Sequence, residues 1–219
     1  MRLAYVTLPL GTLLAASGIW MIVAASRASG PSSSPSTGLE PVHPVTAEMA
    51  RETAAWSAKK APDFNLADAS GKGWTLASLT AGKPLFLYFI IDGCPCSEAA
   101  EPHFQRLYKL YKGRVNFAAV IGSGPKAAVA WVKTHSTPYP VLADSKLAAV
   151  HAFNAKHSVY NLLVFPDGTI DTMWPGYSQD LLRDINRHLS AAISVPEQPF
   201  DTLDAPLKLT SGCFFPSRS

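Results

Sequence analysis

The strongest constraint on the fold of this sequence is an unbroken apolar segment that ends just before two closely spaced cysteines. Residues 84–91 read Pro-Leu-Phe-Leu-Tyr-Phe-Ile-Ile and are apolar at every position. A strand that is apolar on both sides is typical of the centre of a sheet with helices on both faces. Helical spacing of apolar residues then predicts a helix from Ser97 to Lys112. The sequence therefore predicts a layered α/β fold.

Short strands and helices alternate through the rest of the central region. We predict strands at 115–121, 139–142, 162–165 and 169–174, and helices at 126–135, 146–153 and 178–193. The turn Pro166-Asp167-Gly168 joins the last two strands. This order predicts a three-layer sandwich over residues 61–194, in which a central mixed sheet is flanked by helices.

Residues 1–28 carry an apolar segment typical of export. Leu3 to Ala25 are 23 residues without a charge, which as a helix suffice to cross a bilayer. Arg2 marks the end expected to stay in the cytoplasm. The segment predicts a membrane anchor through residues 3–25. Small residues at Ser26 and Ala28 equally allow a cleaved signal peptide. Both alternatives place the domain outside the cytoplasm, in a bacterial periplasm or at the cell exterior, or secreted.

Two accessory segments flank the central domain. Residues 29–60 predict a flexible Ser-, Gly- and Pro-rich linker and a short helix from Thr46 to Ala58. Residues 195–219 form a Pro-rich tail, in which Cys213 lies near two phenylalanines and is expected to dock on the domain. The net charge of +3 comes from scattered residues, which argues against a nucleic-acid partner.

Cys94 and Cys96 lie where the apolar strand meets the following helix. A sulfur at a helix N-terminus faces unpaired N–H groups and the positive end of the helix dipole, and both favour the reactive thiolate. We expect Cys94 to be the more exposed sulfur and the nucleophile, with Cys96 or Cys213 resolving the mixed disulfide. The alternative is that the first two cysteines merely fill the core, and Cys213 is equally well explained as unreactive.

The segment Asp92-Gly93-Cys94-Pro95-Cys96-Ser97, followed by a helix with Pro102 in its second turn, resembles the active site of the thioredoxin superfamily. From Ala61-Pro62-Asp63-Phe64 onward, the order of elements is similar to the redoxin branch, which includes alkyl hydroperoxide reductases and membrane-anchored thiol-disulfide oxidoreductases. The resemblance implies a thiol-disulfide oxidoreductase or a thiol-dependent antioxidant that requires no cofactor. Its partners would be protein thiols or disulfides, a small thiol, or a peroxide.

The sequence departs from the family pattern at three places. Redoxin-branch peroxidases carry a threonine three residues before the nucleophile, where this chain has Ile91 for Cys94 or Gly93 for Cys96. Neither residue donates a side-chain hydrogen bond, which argues against peroxidase activity. The cysteines are separated by one residue rather than two, so a disulfide between them is expected to be strained. The stretch 158–161 also lacks the usual cis-proline.

His157 stands at a place similar to the copper-binding histidine of Sco-type chaperones. Two thiolates and one imidazole suit Cu(I), so Cys94, Cys96 and His157 are the candidate metal ligands of an alternative copper-delivery function. A histidine at a strand entrance is more often a plain surface residue, which is the alternative for His157, and we interpret His103 and His151 as structural. Gly176, in the turn after the last strand, is expected to supply a backbone angle that other residues resist.

Overall fold

The computed structural model describes residues 43–217, and its centre is a seven-stranded mixed sheet. Within that range the strands are β1 Asn65–Asp68, β2 Gly73–Thr75, β3 Leu85–Ile90, β4 Asn116–Ile121, β5 Val141–Ala143, β6 Asn161–Val164 and β7 Ile170–Trp174. Their order across the sheet is β2-β1-β5-β4-β3-β6-β7. Strands β3, β4 and β5 run parallel, and the other neighbours pair antiparallel.

Helices cover both faces of this sheet. They are α1 Ala47–Ala54, α2 Leu76–Leu79, α3 Pro95–Tyr111, α4 Pro125–His135, α5 Ala148–Ala152 and α6 Gln179–Ala192. The apolar residues of α3, α4 and α6 belong to one core cluster, and those of α1, α2 and α5 belong to another. The predicted mixed sheet flanked by helices is confirmed.

Strand β3 separates the two cores. Phe86, Tyr88 and Ile90 belong to the cluster with α3, whereas Leu85, Leu87 and Phe89 belong to the cluster with α1. All six side chains are at most 1% exposed, because successive residues of a strand point to opposite faces and both faces are covered. The continuous apolar segment therefore correctly predicted a central strand, and the end of this strand fixes the position of Cys94.

Predicted and observed element boundaries differ mostly by a few residues. Helix α3 begins at Pro95 rather than Ser97, since proline at the first helical position needs no N–H partner. The predicted helix from Thr46 to Ala58 is shorter: Thr46 caps it, but it ends at Ala54. The fifth strand starts after Pro140 rather than at Tyr139.

The tail after α6 docks on the domain, as predicted. Thr210 and Tyr177 exchange two backbone hydrogen bonds, with N···O distances of 3.0 and 2.9 Å. His43 accepts a backbone hydrogen bond from Ser211, and Leu209 accepts one from Val45. The tail is thus held between the first described residues and the turn after β7.

Within residues 43–217, no helix combines the length and the apolar character that crossing a membrane requires. The predicted anchor or signal peptide, residues 1–28, lies outside the described residues. So does the Ser- and Gly-rich part of the linker, residues 29–38.

Candidate active site around Cys94

Cys94 is the N-cap residue of the longest helix in the described part of the chain. Its backbone is extended, with φ −85° and ψ 115°, and its carbonyl accepts the Glu98 N–H at 3.2 Å. Pro95 then starts the 17-residue helix α3. The Cys94 sulfur therefore lies at the positive end of a helix dipole, which favours the thiolate.

Several donors point at the Cys94 sulfur. The Ser158 hydroxyl oxygen is 3.4 Å from Sγ, and the backbone nitrogen of Cys213 is 3.3 Å from it. The Ser97 amide and the Cys213 thiol also donate to it. Burial raises the pKa of Cys94, but these hydrogen bonds outweigh burial and lower it from 9.0 to about 7. Near neutral pH, a large fraction of Cys94 is therefore thiolate.

The expectation that Cys94 is the more exposed cysteine is wrong. Cys94 is 1% exposed, whereas Cys96 and Cys213 are partly exposed. The physical reason is that Ser158 and the tail residue Cys213 pack against the Cys94 sulfur, and a view of the strand and helix alone omits both contacts. The interpretation of Cys94 as an inert core residue fits poorly, since its sulfur is surrounded by polar donors.

The other two cysteines are thiols that face the Cys94 thiolate. Burial raises the pKa of Cys96, and the negative charge on Cys94 and a hydrogen bond to it raise it further. The same effects raise the pKa of Cys213 to about 12. Burial and the charges of Cys96 and Cys94 raise the pKa of neighbouring Tyr177 to about 12. The site thus brings the three predicted cysteines together, with one thiolate and two thiol donors.

Backbone pairing holds Cys213 in place. Its carbonyl accepts the Ser158 N–H at 2.9 Å, and the Phe215 N–H donates to the Lys156 carbonyl at 2.9 Å. His157 and Phe214 form the antiparallel bridge between these bonds. The tail therefore lies as a short strand beside residues 156–158, with its cysteine next to Cys94.

Val159 adopts an unusual backbone conformation beside the site. No cis peptide bond occurs within residues 43–217, and Val159 has φ +67°, which for a β-branched residue costs about 1–3 kcal/mol. Its N–H donates to the Phe89 carbonyl at 2.6 Å, and its own carbonyl accepts the Asn161 amide at 2.9 Å. These bonds hold the loop that carries Ser158 against Cys94.

His157 packs against the tail and is buried, so the prediction of a plain surface role is wrong. Its Nδ1 lies 3.2 Å from the Gly212 carbonyl oxygen, and its ring centroid is 4.0 Å from that of Phe214. Over residues 43–217, no group of three His, Cys, Asp or Glu side chains is arranged to hold a metal. The set Cys94, Cys96 and His157 is therefore not arranged as a metal group in the described part of the chain, and the copper-delivery alternative stays a prediction.

His103 and His151 make contacts within the fold. His103 is buried beside Arg106, and its ring centroid lies 5.6 Å from that of Tyr177. Burial lowers its pKa to about 4, with a further contribution from Arg106. The Nε2 atom of His151 is 2.9 Å from the Pro216 carbonyl oxygen.

Two site features could not be deduced from the cysteine motif. At Ser158 the sequence shows only the absence of the usual proline, yet the Ser158 hydroxyl contacts Cys94. The expectation for Gly176 is also wrong, because its φ lies outside the left-handed range. Glycine is needed there because a Cβ would overlap the Thr210 carbonyl of the tail. The only sequence signal that the tail docks near the site was the apolar character of the residues around Cys213.

A thioredoxin-like fold with a low-pKa cysteine at the start of a helix defines a thiol-based oxidoreductase. The model of the AhpC/TSA family matches residues 58–173, more than half of the chain, so the chain belongs to the AhpC/TSA family.

Individual relatives agree with this class. The chain is 29% identical over 124 residues to thiol-disulfide oxidoreductase ResA of Halalkalibacterium halodurans, covering 56% of this chain and 70% of the relative. It is 29% identical over 112 residues to ResA of Bacillus subtilis, covering 50% and 62%.

Solved structures share the fold. An uncharacterised conserved protein from Geobacillus kaustophilus has a TM-score of 0.60 at 19% identity, covering 74% of this chain and 92% of that one. Peroxidoxin BcpB from Mycobacterium tuberculosis has a TM-score of 0.54 at 19% identity, covering 64% and 97%.

Proposed function

We propose that this protein is an exported thiol-disulfide oxidoreductase in which the Cys94 thiolate is the nucleophile. The observation that carries the proposal is the set of donors around the Cys94 sulfur, which lower its pKa to about 7. The names of the two ResA relatives support the same reaction class.

The reaction consists of two exchange steps. The Cys94 thiolate attacks one sulfur of a partner's disulfide, so that the partner's S–S bond breaks and its other sulfur leaves as a thiolate. Cys96 then loses its proton and attacks the Cys94 sulfur, which releases the second partner sulfur. The partner gains two electrons, and Cys94 and Cys96 become a disulfide. The reverse sequence oxidises a dithiol partner.

Two cysteines are available to resolve the mixed disulfide. Cys96 lies within the same first helical turn, and Cys213 lies opposite on the tail. When Cys94 enters a mixed disulfide its negative charge disappears, so the contribution of that charge to the pKa of Cys96 and Cys213 disappears as well. Formation of the first bond therefore makes both resolving thiols easier to ionise.

The donors around Cys94 also bear on the direction of electron flow. They stabilise the thiolate, which exists only in the reduced protein, and a stabilised reduced form makes a disulfide more oxidising. A disulfide in the small Cys94-Pro95-Cys96 ring is expected to be strained, which acts in the same direction. We therefore assign the oxidation of partner dithiols as the favoured direction.

The proposed location follows from the sequence of residues 1–28. The uncharged segment Leu3–Ala25 would anchor the domain in a membrane or direct its secretion. Partners are then proteins with thiols or disulfides in an oxidising compartment.

The test uses the purified full-length protein and a peptide with one disulfide. Cys94→Ser is expected to abolish exchange, by at least about 100-fold, because a hydroxyl at this position is not nucleophilic. Cys96→Ser/Cys213→Ser, which lacks both resolving thiols, is expected to retain the first step and to accumulate mixed disulfide. If the double variant Cys94→Ser/Cys96→Ser exchanged the peptide disulfide as fast as the unchanged protein, the proposal would be wrong.

Peroxidase activity stays a prediction without a specific contact in its favour. The residue three positions before Cys94 is Ile91, whose N–H donates to the Ser97 hydroxyl oxygen at 3.2 Å. Its side chain has no donor to orient a peroxide. Rapid sulfenic acid formation at Cys94 on peroxide treatment would establish this alternative.

A further inference from the structure

Three glycines share one property that no turn or backbone angle explains. Among the glycines that the structure describes, only Gly122, Gly176 and Gly212 would place a Cβ closer than 3.0 Å to another residue. None of the three has φ in the left-handed range. Their missing side chains therefore provide space for a close approach.

All three close approaches involve the tail. A Cβ on Gly122 would overlap the ring of Phe215, and one on Gly176 would overlap the Thr210 carbonyl. A Cβ on Gly212 would overlap the Ser158 hydroxyl, whose oxygen lies 3.4 Å from the Cys94 sulfur. The domain and the tail are thus fitted to each other at three separate points.

The docked tail has the pattern of a bound strand. Cys213 faces Cys94, Phe214 is 70% exposed, and Phe215 is 7% exposed in the core beside Gly122. Alternate side chains therefore point in and out, as in a β-strand. Pairing by backbone hydrogen bonds with residues 156–158 is how an extended peptide adds to a sheet edge.

We propose that residues 210–215 are an internal strand that competes with the partner for the same place, so that the tail must leave before a partner reaches Cys94. The inference rests on the proposed exchange function. Cys94 is 1% exposed with the tail in place, and a partner sulfur has to take the position now held by Cys213. The partner is an extended peptide segment with glycine directly before its cysteine, because the space beside the Ser158 hydroxyl admits no Cβ there.

The experiment measures the reaction of Cys94 alone. In the full-length Cys96→Ser/Cys213→Ser protein, Cys94 is the single remaining cysteine. The peptide probe is Leu-Thr-Ser-Gly-Cys-Phe-Phe-Pro, which copies residues 209–216, with nitrothiobenzoate disulfide-bonded to its cysteine. The small probe is free cysteine with the same group. Attack by Cys94 forms a disulfide with either probe, breaks the probe's S–S bond and releases the coloured nitrothiobenzoate anion.

The readout is the ratio of the peptide rate to the small-probe rate, because a change in the Cys94 pKa affects both rates and cancels. Adding Gly212→Ala, which displaces the tail, is expected to raise this ratio at least ten-fold. Gly124→Ala is the matched control, since its Cβ would meet nothing within 4 Å, and it is expected to leave the ratio unchanged. On the Gly212→Ala protein, a peptide with alanine before its cysteine is expected to react at least ten-fold more slowly.

The outcomes separate the two proposals. An equal ratio with and without Gly212→Ala would overturn the proposal that the tail competes with the partner. Fast release from the small probe would still support exchange chemistry. If every variant released nitrothiobenzoate from both probes no faster than an ordinary free thiol does, the proposed function itself would be overturned. Phe215→Ala displaces the tail in a different way, by removing its buried anchor instead of adding an overlap. It is also expected to raise the ratio, and it provides the test if Gly212→Ala does not fold.

Discussion

Ser158 and Cys94 are 64 residues apart in the chain, yet the hydroxyl oxygen of Ser158 lies 3.4 Å from the sulfur of Cys94. This contact connects the start of helix α3 with the loop before strand β6. The hydroxyl stabilises the thiolate by donating a hydrogen bond.

Ser158→Ala is expected to raise the pKa of Cys94, because one of its donors is lost. A rise of about one pKa unit would lower the thiolate fraction at pH 7 about five-fold. The rate of Cys94 alkylation by iodoacetamide should fall by this factor at pH 7 and stay unchanged at pH 10. Ser145→Ala, at an exposed position, is the control. Equal rates at pH 7 for the two variants would contradict the assigned role of the hydroxyl.

Stability is expected to depend on pH through the same sulfur. The pKa of Cys94 is about 7 in the folded protein and 9.0 as its ordinary value. A lowered pKa stabilises the fold fully above pH 9, and this contribution is lost as the pH falls through 7.

Urea unfolding of the reduced protein measures this effect. Between pH 7 and pH 9, the free energy of unfolding should rise by about 1–2 kcal/mol more in the unchanged protein than in Cys94→Ser, since one pKa unit corresponds to about 1.4 kcal/mol. Above pH 9 the raised pKa of Cys213, about 12, acts in the opposite direction. The same pH dependence in both proteins would refute the prediction.

A buried carboxylate makes α3 sensitive to mutation away from the cysteines. Glu101 is 1% exposed and accepts hydrogen bonds from Tyr88, Thr137, Tyr139 and Gln105. Glu101→Ala would leave several buried donors without an acceptor and is expected to cost about 3 kcal/mol or more in the free energy of unfolding. Lys109→Ala, exposed on the same helix, should change it by less than about 0.5 kcal/mol. Chemical denaturation of both variants decides the question.

Local pattern predicted most of the fold. The apolar segment before Cys94 identified β3, because a short apolar run bounded by turn residues is typical of a strand buried on both faces. The turn at Pro166-Asp167-Gly168 and the apolar spacing of the last helix placed β6, β7 and α6 within a residue or two. These signals are local, so no knowledge of distant contacts was needed.

The surroundings of Cys94 required the tertiary structure. The motif predicted a sulfur at a helix N-terminus, but it contained no information on what covers that sulfur. Ser158 and Cys213 lie 64 and 119 residues away from Cys94, and neither contact follows from residue spacing. For the same reason, the sequence did not show that Gly176 makes room for the Thr210 carbonyl of the tail.

The arrangement of the three sulfurs predicts which disulfide forms when Cys96 is removed. The Cys213 nitrogen lies 3.3 Å from the Cys94 sulfur, and the Cys213 thiol donates to that sulfur. In Cys96→Ser, oxidised glutathione should first form a mixed disulfide with Cys94. Cys213 should then attack the Cys94 sulfur and release reduced glutathione.

Peptide mapping by mass spectrometry of the unreduced protein is the measurement. We expect an internal Cys94–Cys213 disulfide in Cys96→Ser and a persistent glutathione adduct on Cys94 in Cys96→Ser/Cys213→Ser. Cys213→Ser, which keeps Cys96, should lose the adduct through Cys96 instead. An adduct of equal lifetime in the first two variants would exclude Cys213 as a resolving residue. In that case the tail would contact Cys94 without taking part in the exchange, because Cys213 would not displace glutathione from the Cys94 sulfur.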